Sequence, residues 1–203
     1  MPRRLLCLAG LFLVAVALPA IPAVQRDDAP LNDLVLRNGK IVDGTGNPWR
    51  LSDLAIRGDT IARIGRIPPN AGRREIDAKG LVVAPGFIDM HSHSDYLILE
   101  DGNAQSKIRQ GVTTEVLGES SSPGPFVGKH PPRRINADGK VIQWTTLGEY
   151  FDIVEKRGAS TNVASFVGLG TVWRCVMGES HARPTKEQFE QIKKLVDQAM
   201  KEG

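Results

Sequence analysis

Two histidines one residue apart, His91 and His93, are the side chains whose type and spacing best suit them to chemistry. Neutral imidazole is the commonest metal ligand, and side chains two apart in an extended strand project from the same face. The pair therefore supplies half of a four-coordinate zinc shell from one strand end. A metal held there with open positions lowers the pKa of a bound water and polarises a carbonyl, which is the chemistry of amide hydrolysis. The other two histidines, His130 and His181, stand in polar, proline-containing stretches that fit ordinary loops. Asp95, two residues beyond His93, is close enough to reach the pair and equally suited to cap the next turn.

The elements that must position this pair follow from periodicity. Residues 81–84 form an apolar run, Pro85-Gly86 breaks it, and residues 87–90 form a second run that delivers both imidazoles to its end. Residues 113–117 read as a second strand ending in Gly118-Glu119-Ser120, and residues 162–168 as a third, nearly all apolar, of the kind buried on both faces. If the second strand stays regular, Glu119 and Ser120 point to opposite faces and only one of them can accompany the histidines. Between the strands, residues 103–109 suggest a short helix stopped by Gly111. Thr146 with Glu149 and Thr185 with Gln188 have capping-box spacing and predict longer helices after them. The second carries an apolar stripe of Phe189, Ile192, Val196 and Ala199. Residues 118–145 hold no other clear element, and 121–140 read as one long irregular loop. Strand alternating with helix implies parallel, right-handed crossovers.

Upstream, residues 31–84 contain short strand patterns with turn signals at Asn38-Gly39 and Gly58-Asp59, and read as part of a small β-sandwich. Thr45 lies in a glycine-containing connection with G-x-G spacing, but no third glycine and no helix follow, which argues against a nucleotide site. The first 23 residues have a basic start, an apolar run over 5–18 and then small residues and prolines, the order of a secretory signal peptide. That run is shorter than the ~20 residues of a membrane span. The expected organisation is a signal peptide over 1–23, a linker over 24–30, the β portion over 31–84 and a barrel portion over 85–203. The mature protein is then exported, periplasmic or secreted, without a membrane anchor. Without Arg3 and Arg4, 24 basic side chains face 23 acidic ones, so the basic character of the full sequence is no argument for a nucleic-acid partner. Of the two cysteines only Cys175 follows the leader, which leaves no intrachain disulfide and suggests a small buried apolar residue.

Four motifs carry a family resemblance. Gly86-Phe87-Ile88-Asp89-Met90-His91-Ser92-His93 resembles the first barrel strand of the amidohydrolase superfamily. The stretch from Asp33 through Asn38-Gly39 to Gly46, then Gln110-Gly111-Val112-Thr113-Thr114, then Asn162 to Gly168, resemble the N-acyl-D-amino-acid deacylases (D-aminoacylases) in particular. The resemblance runs from about residue 31 to the last. It implies an α/β fold, the first β/α units of a distorted TIM barrel, preceded by a β-sandwich portion completed by strands from the far C-terminus. It also implies one or two zinc ions and a small-molecule N-acyl amino acid substrate. His91 and His93 would be metal ligands. Where the family has a metal-binding cysteine in Gly-Asn-Cys, this chain has Gly118-Glu119-Ser120, and a carboxylate is a far better zinc ligand than a hydroxyl. Glu119 is therefore the expected third ligand, even though register favours Ser120.

The family's two later metal histidines and its general-base aspartate are expected beyond residue 203, so no catalytic residue is assigned within the chain. A TIM barrel needs eight β/α units and typically ~250 residues. The chain accordingly reads as the amino-terminal piece of a longer enzyme and is expected to be inactive alone. The competing expectations are a cyclic-amide amidohydrolase of the hydantoinase or dihydroorotase kind, which shares the His-x-His strand, and an inert metal-binding fragment.

Overall fold

The consecutive apolar residues Leu34, Val35 and Leu36 lie in β1 (Asn32–Ile41), the centre of the first sheet, where Val35 is fully buried. The computed structural model describes residues 31–203, so the expected signal peptide and linker lie outside the described residues. The chain divides into two units, one of residues 31–41 and 49–83, the other of residues 42–48 and 84–203. In the first unit β2 (Arg50–Arg57) and β3 (Thr60–Gly65) form the hairpin read at Gly58-Asp59, with Arg57 opposite Thr60 and Gly58 at φ +58°. β4 (Gly72–Asp77) and β5 (Val82–Val83) add to β1 in parallel, giving one five-stranded mixed sheet in which β1 lies between β2 and β4.

Asn38-Gly39 is not a turn. Asn38 takes φ +59°, and the register between β1 and β2 slips between Leu36 and Gly39, so the extra residue is absorbed as a bulge inside one continuous strand. Arg37 stiffens this place. Its guanidinium bonds Asp53 at 3.0 Å, Glu75 at 2.7 Å and the carbonyls of Ile67 and Pro68 at 2.8 Å each.

The second unit is built on three parallel strands: β6 (Phe87–Asp89), β7 (Val112–Leu117) and, beyond the intervening elements, β10 (Asn162–Ser165), with β7 in the middle. Between β6 and β7 lie two single-turn helices, α1 (Leu97–Glu100) and α2 (Gln105–Ile108). The stretch after β7, read as one irregular loop, contains the hairpin β8 (Arg134–Ala137) and β9 (Lys140–Gln143). Its two-residue turn, Asp138-Gly139, has φ +54° and +70°, the pairing a type I′ hairpin demands.

Both capping boxes close as read. Thr146 Oγ1 accepts the Glu149 N–H and starts α3 (Leu147–Arg157); Thr185 does the same for Gln188 and starts α5 (Lys186–Lys201). α4 (Leu169–Met177) precedes α5 and was not expected. On α5, Ile192 and Ala199 are buried as the stripe requires, but Phe189 is exposed. The core of the unit gathers Ile98, Leu99, Leu117, Phe126, Trp144, Leu147 and Tyr150, and the Tyr150 hydroxyl donates to the Asp95 carbonyl at 2.9 Å. No described helix is long and apolar enough to cross a membrane.

Candidate metal centre

The strands run parallel, so their C-terminal ends lie on one edge, and His91, His93 and Glu119 follow β6 and β7 on that edge. β6 ends at Asp89, so the histidines stand just past the strand and not inside it. The ladder nevertheless continues for one step, because the Ser92 N–H donates to the Val116 carbonyl at 3.0 Å. The alternation of an extended chain is thereby kept: Ser92 is buried, and the imidazoles on either side are exposed.

The two rings meet edge to face with centroids 4.9 Å apart, and their Nε2 atoms are 3.0 Å from each other. The Glu119 carboxylate lies 2.7 Å from His91 Nδ1. A neutral imidazole that donates through Nδ1 presents a lone pair at Nε2, so Glu119 selects the tautomer in which Nε2 can bind a metal. Two nitrogens facing at this distance must share either a proton or a cation. Two nitrogens bound tetrahedrally to one zinc would be about 3.3 Å apart, given Zn–N bonds of about 2.0–2.1 Å. The pair thus fits a divalent metal as a two-nitrogen edge. Among the described residues no group of three or more His, Cys, Asp or Glu side chains is gathered to hold a metal ion, since Glu119 lies behind the His91 ring at Nδ1.

Glu119 is placed by two backbone features. Gly118 has φ +82°, and a Cβ there would fall 2.2 Å from the Phe166 carbonyl oxygen, so only glycine permits the bend. Ser120 has φ +64°, the Ser121 N–H turns back to the Glu119 carbonyl at 2.7 Å, and the Ser120 carbonyl accepts the Gly170 N–H at 2.8 Å. The backbone of Ser120 is thus engaged with the start of α4, while the side chain of Glu119 meets the histidine.

Asp95 is buried, and its Oδ1 has no hydrogen-bond partner among the described residues. Burial pushes its carboxyl above the usual carboxylate range, with His93 and Arg133 pulling in the opposite direction. The Arg133 guanidinium stacks 3.8 Å over the ring of the neighbouring Tyr96. His130 is partly buried with its ring edge-on to Phe126, and His181 is an exposed loop residue. Cys175 is buried with its thiol toward the Pro125 carbonyl, and burial pushes that thiol up.

Sequence reading missed a polar cluster under the histidines. Glu115, in the middle of β7, is completely buried. Its Oε2 accepts the hydroxyls of Ser92 at 2.6 Å and Ser94 at 2.7 Å, and its Oε1 accepts the Thr161 hydroxyl at 3.0 Å. Lys107 Nζ lies 3.4 Å from Glu115 Oε2, 3.1 Å from Ser92 Oγ and 2.6 Å from Asp89 Oδ2, and Asp89 Oδ1 accepts the His91 N–H. Burial by itself pushes the Glu115 carboxyl up, but the hydroxyls of Ser92, Ser94 and Thr161 and the Lys107 charge outweigh it, and its pKa lies below the ordinary value. A signal was available: a lone acid in a strand otherwise built of Val, Thr and Leu needs buried partners.

A parallel-strand edge carrying a His-x-His pair resembles the strand ends of the amidohydrolases. The pattern of the amidohydrolase family matches residues 74–157. More particularly, the chain resembles the N-acyl-D-amino-acid deacylases over the amino-terminal portion of their length. It is 36% identical over 182 residues to a D-aminoacylase of Alcaligenes xylosoxydans xylosoxydans, a match covering 88% of this chain and 37% of that protein. It superposes with a TM-score of 0.75 and 33% identity on a D-aminoacylase structure concerned with a binuclear metal centre, over 85% of this chain and 37% of that one. It also superposes, with a TM-score of 0.74 and 31% identity, on an N-acyl-D-glutamate deacylase from Bordetella bronchiseptica complexed with zinc and a phosphonate inhibitor, over 84% of this chain and 36% of that one. The fold is that of the first β/α units of a distorted TIM barrel, preceded by part of a small β-sandwich. The chain spans just over a third of the length of these relatives.

Proposed function

We propose that this chain supplies the first strands and the first metal ligands of a zinc-dependent hydrolase that removes the acyl group from N-acyl-D-amino acids. The observation that carries the reading is the pair of Nε2 atoms, 3.0 Å apart at the C-terminal edge of parallel strands. The solved relatives support it, since one is described with a binuclear metal centre and another with zinc and a mimic of the tetrahedral intermediate. His91 and His93 would hold the metal through Nε2, one or two zinc ions in all, and Glu119 is the third residue assigned to the centre. When bound, zinc supplies an activated water and a Lewis acid for the amide carbonyl. The chain's own residues orient and hold protons. Glu119 retains the proton of His91 at Nδ1, and Asp89 anchors the His91 backbone N–H at 3.2 Å.

The three parallel strands of the second unit provide two imidazoles and one carboxylate at the centre, too few for both a complete shell and a general base. The 203 residues alone are therefore expected to bind zinc without measurable turnover, and a chain continued to the length of its relatives to release acetate from N-acetyl-D-amino acids. Removing metal with a chelator should abolish that release and restoring zinc should recover it. Chelator-insensitive hydrolysis, or turnover by the 203 residues alone, would contradict the reading.

We also propose that the protein is exported and that its mature chain starts near Val24, from the basic, apolar, small-residue order of the leader. Intact-mass measurement of the protein recovered outside the cytoplasm checks this. A chain that retains Met1 and stays inside the cell would refute it.

A further inference from the structure

His91 and His93 follow the end of β6, and their rings are held chiefly by each other and by Glu119. What aims them is the chain beneath. Ser92 and Ser94 point the opposite way and donate to the same oxygen, Oε2 of Glu115, at 2.6 and 2.7 Å. In an extended chain, pinning residues 92 and 94 to one side turns 91 and 93 to the other. Lys107 reinforces the clamp by joining Asp89, Ser92 and Glu115, so the segment is tied at 89, 92 and 94. An acid at a fully buried position of the central strand is a poor core filler, because burying a charge is costly without compensation. Here each carboxylate oxygen is satisfied, and the one that takes two hydroxyls takes both from the histidine segment.

We propose that Glu115 is the positioning residue of the metal centre, setting His91 and His93 in register for a divalent cation through the hydroxyls of Ser92 and Ser94. The proposal rests on the zinc reading above, and it concerns residues that do not themselves touch the metal. Groups that orient ligands from behind typically contribute 10–100-fold to metal affinity.

Thr161 makes the test discriminating, because it binds the other oxygen of Glu115 from the segment just before β10, whereas Ser92 and Ser94 bind Oε2 from the histidine segment. Zinc affinity of the 203-residue chain is measured by competition with a chromophoric chelator. In parallel, the imidazole nitrogen shifts of the metal-free protein are recorded by NMR. Ser94→Ala is expected to weaken zinc binding about 10-fold and Glu115→Gln up to about 100-fold. Both should displace the signals of His91 and His93. Thr161→Val should leave affinity and signals unchanged even where it lowers the melting temperature as much as Ser94→Ala does. Equal effects of Ser94→Ala and Thr161→Val on zinc affinity, or no effect of Ser94→Ala, would overturn the proposal. If Glu115→Gln does not fold, the Ser94→Ala and Thr161→Val pair decides alone. If the unsubstituted chain takes up no zinc, the metal reading fails, and the imidazole signals still decide positioning. Displacement in Ser94→Ala but not in Thr161→Val supports it; signals that stay in place in both overturn it.

Discussion

Alanine at either His91 or His93 is expected to abolish stoichiometric zinc binding while leaving the metal-free fold intact. Each imidazole contributes one of two facing Nε2 atoms, and losing one removes half of the nitrogen donors the described strands provide. The loss should exceed the ~10–100-fold change that follows from disturbing a group behind a ligand. Both side chains are exposed at the strand edge, so little buried apolar surface is lost with them. Zinc per chain after equilibrium dialysis, set beside the melting temperature of the chelated protein, separates the two effects. Stoichiometric zinc in both single variants would remove the pair from the centre. The same measurement distinguishes Glu119 from Ser120. Glu119→Gln is expected to weaken zinc binding by ~10–100-fold, less than the histidine variants, because its carboxylate meets His91 at Nδ1, and Ser120→Ala to bind nearly normally. A loss with Glu119→Gln as complete as in the histidine variants would instead make its carboxylate a direct metal ligand. Loss with Ser120→Ala alone would mean that register outweighs ligand type.

Leu117→Ala is expected to cost ~2–5 kcal/mol of unfolding free energy, the range for truncating a buried leucine. Leu117 is completely buried at the end of the central strand β7, in the same cluster as Phe126, Trp144 and Tyr150. That cluster includes aromatic rings set at fixed angles, such as Trp144 and Tyr150 with centroids 5.6 Å apart, which collapse poorly into a void. Urea denaturation of the chelated chain reads the change directly. The exposed Leu169→Ala serves as the control, with a change within ~0.5 kcal/mol. A cost below ~1 kcal/mol for Leu117→Ala would mean that the cavity closes by repacking.

Local signals were reliable where the physics is local. Thr146 and Thr185 satisfy backbone N–H groups three residues away, so their helices start where the capping spacing says. Gly58-Asp59 sets a two-residue hairpin through its own dihedrals. Asp138-Gly139 carries an equally local signal, which the surrounding prolines and charges obscured. Asn38-Gly39 shows the opposite case. The same dipeptide that makes hairpin turns becomes a bulge, because β1 must stay paired with strands on both sides.

The sequence by itself determined that two imidazoles share a face, that parallel strands present them at one edge, and that Glu119 stands at the end of the next strand. Period, spacing and side-chain chemistry are properties of neighbouring residues and are legible without coordinates. Only the tertiary structure decided which atom of His91 meets Glu119, that Phe189 stays exposed, and that Glu115 gathers Ser92, Ser94, Lys107 and Thr161. Those partners come from the histidine segment, from α2 and from the approach to β10, up to 46 residues away in the chain. No periodicity links them. They meet because strand pairing brings distant segments together, and because a charge buried at the centre of a sheet must be met by whatever polar groups that pairing delivers.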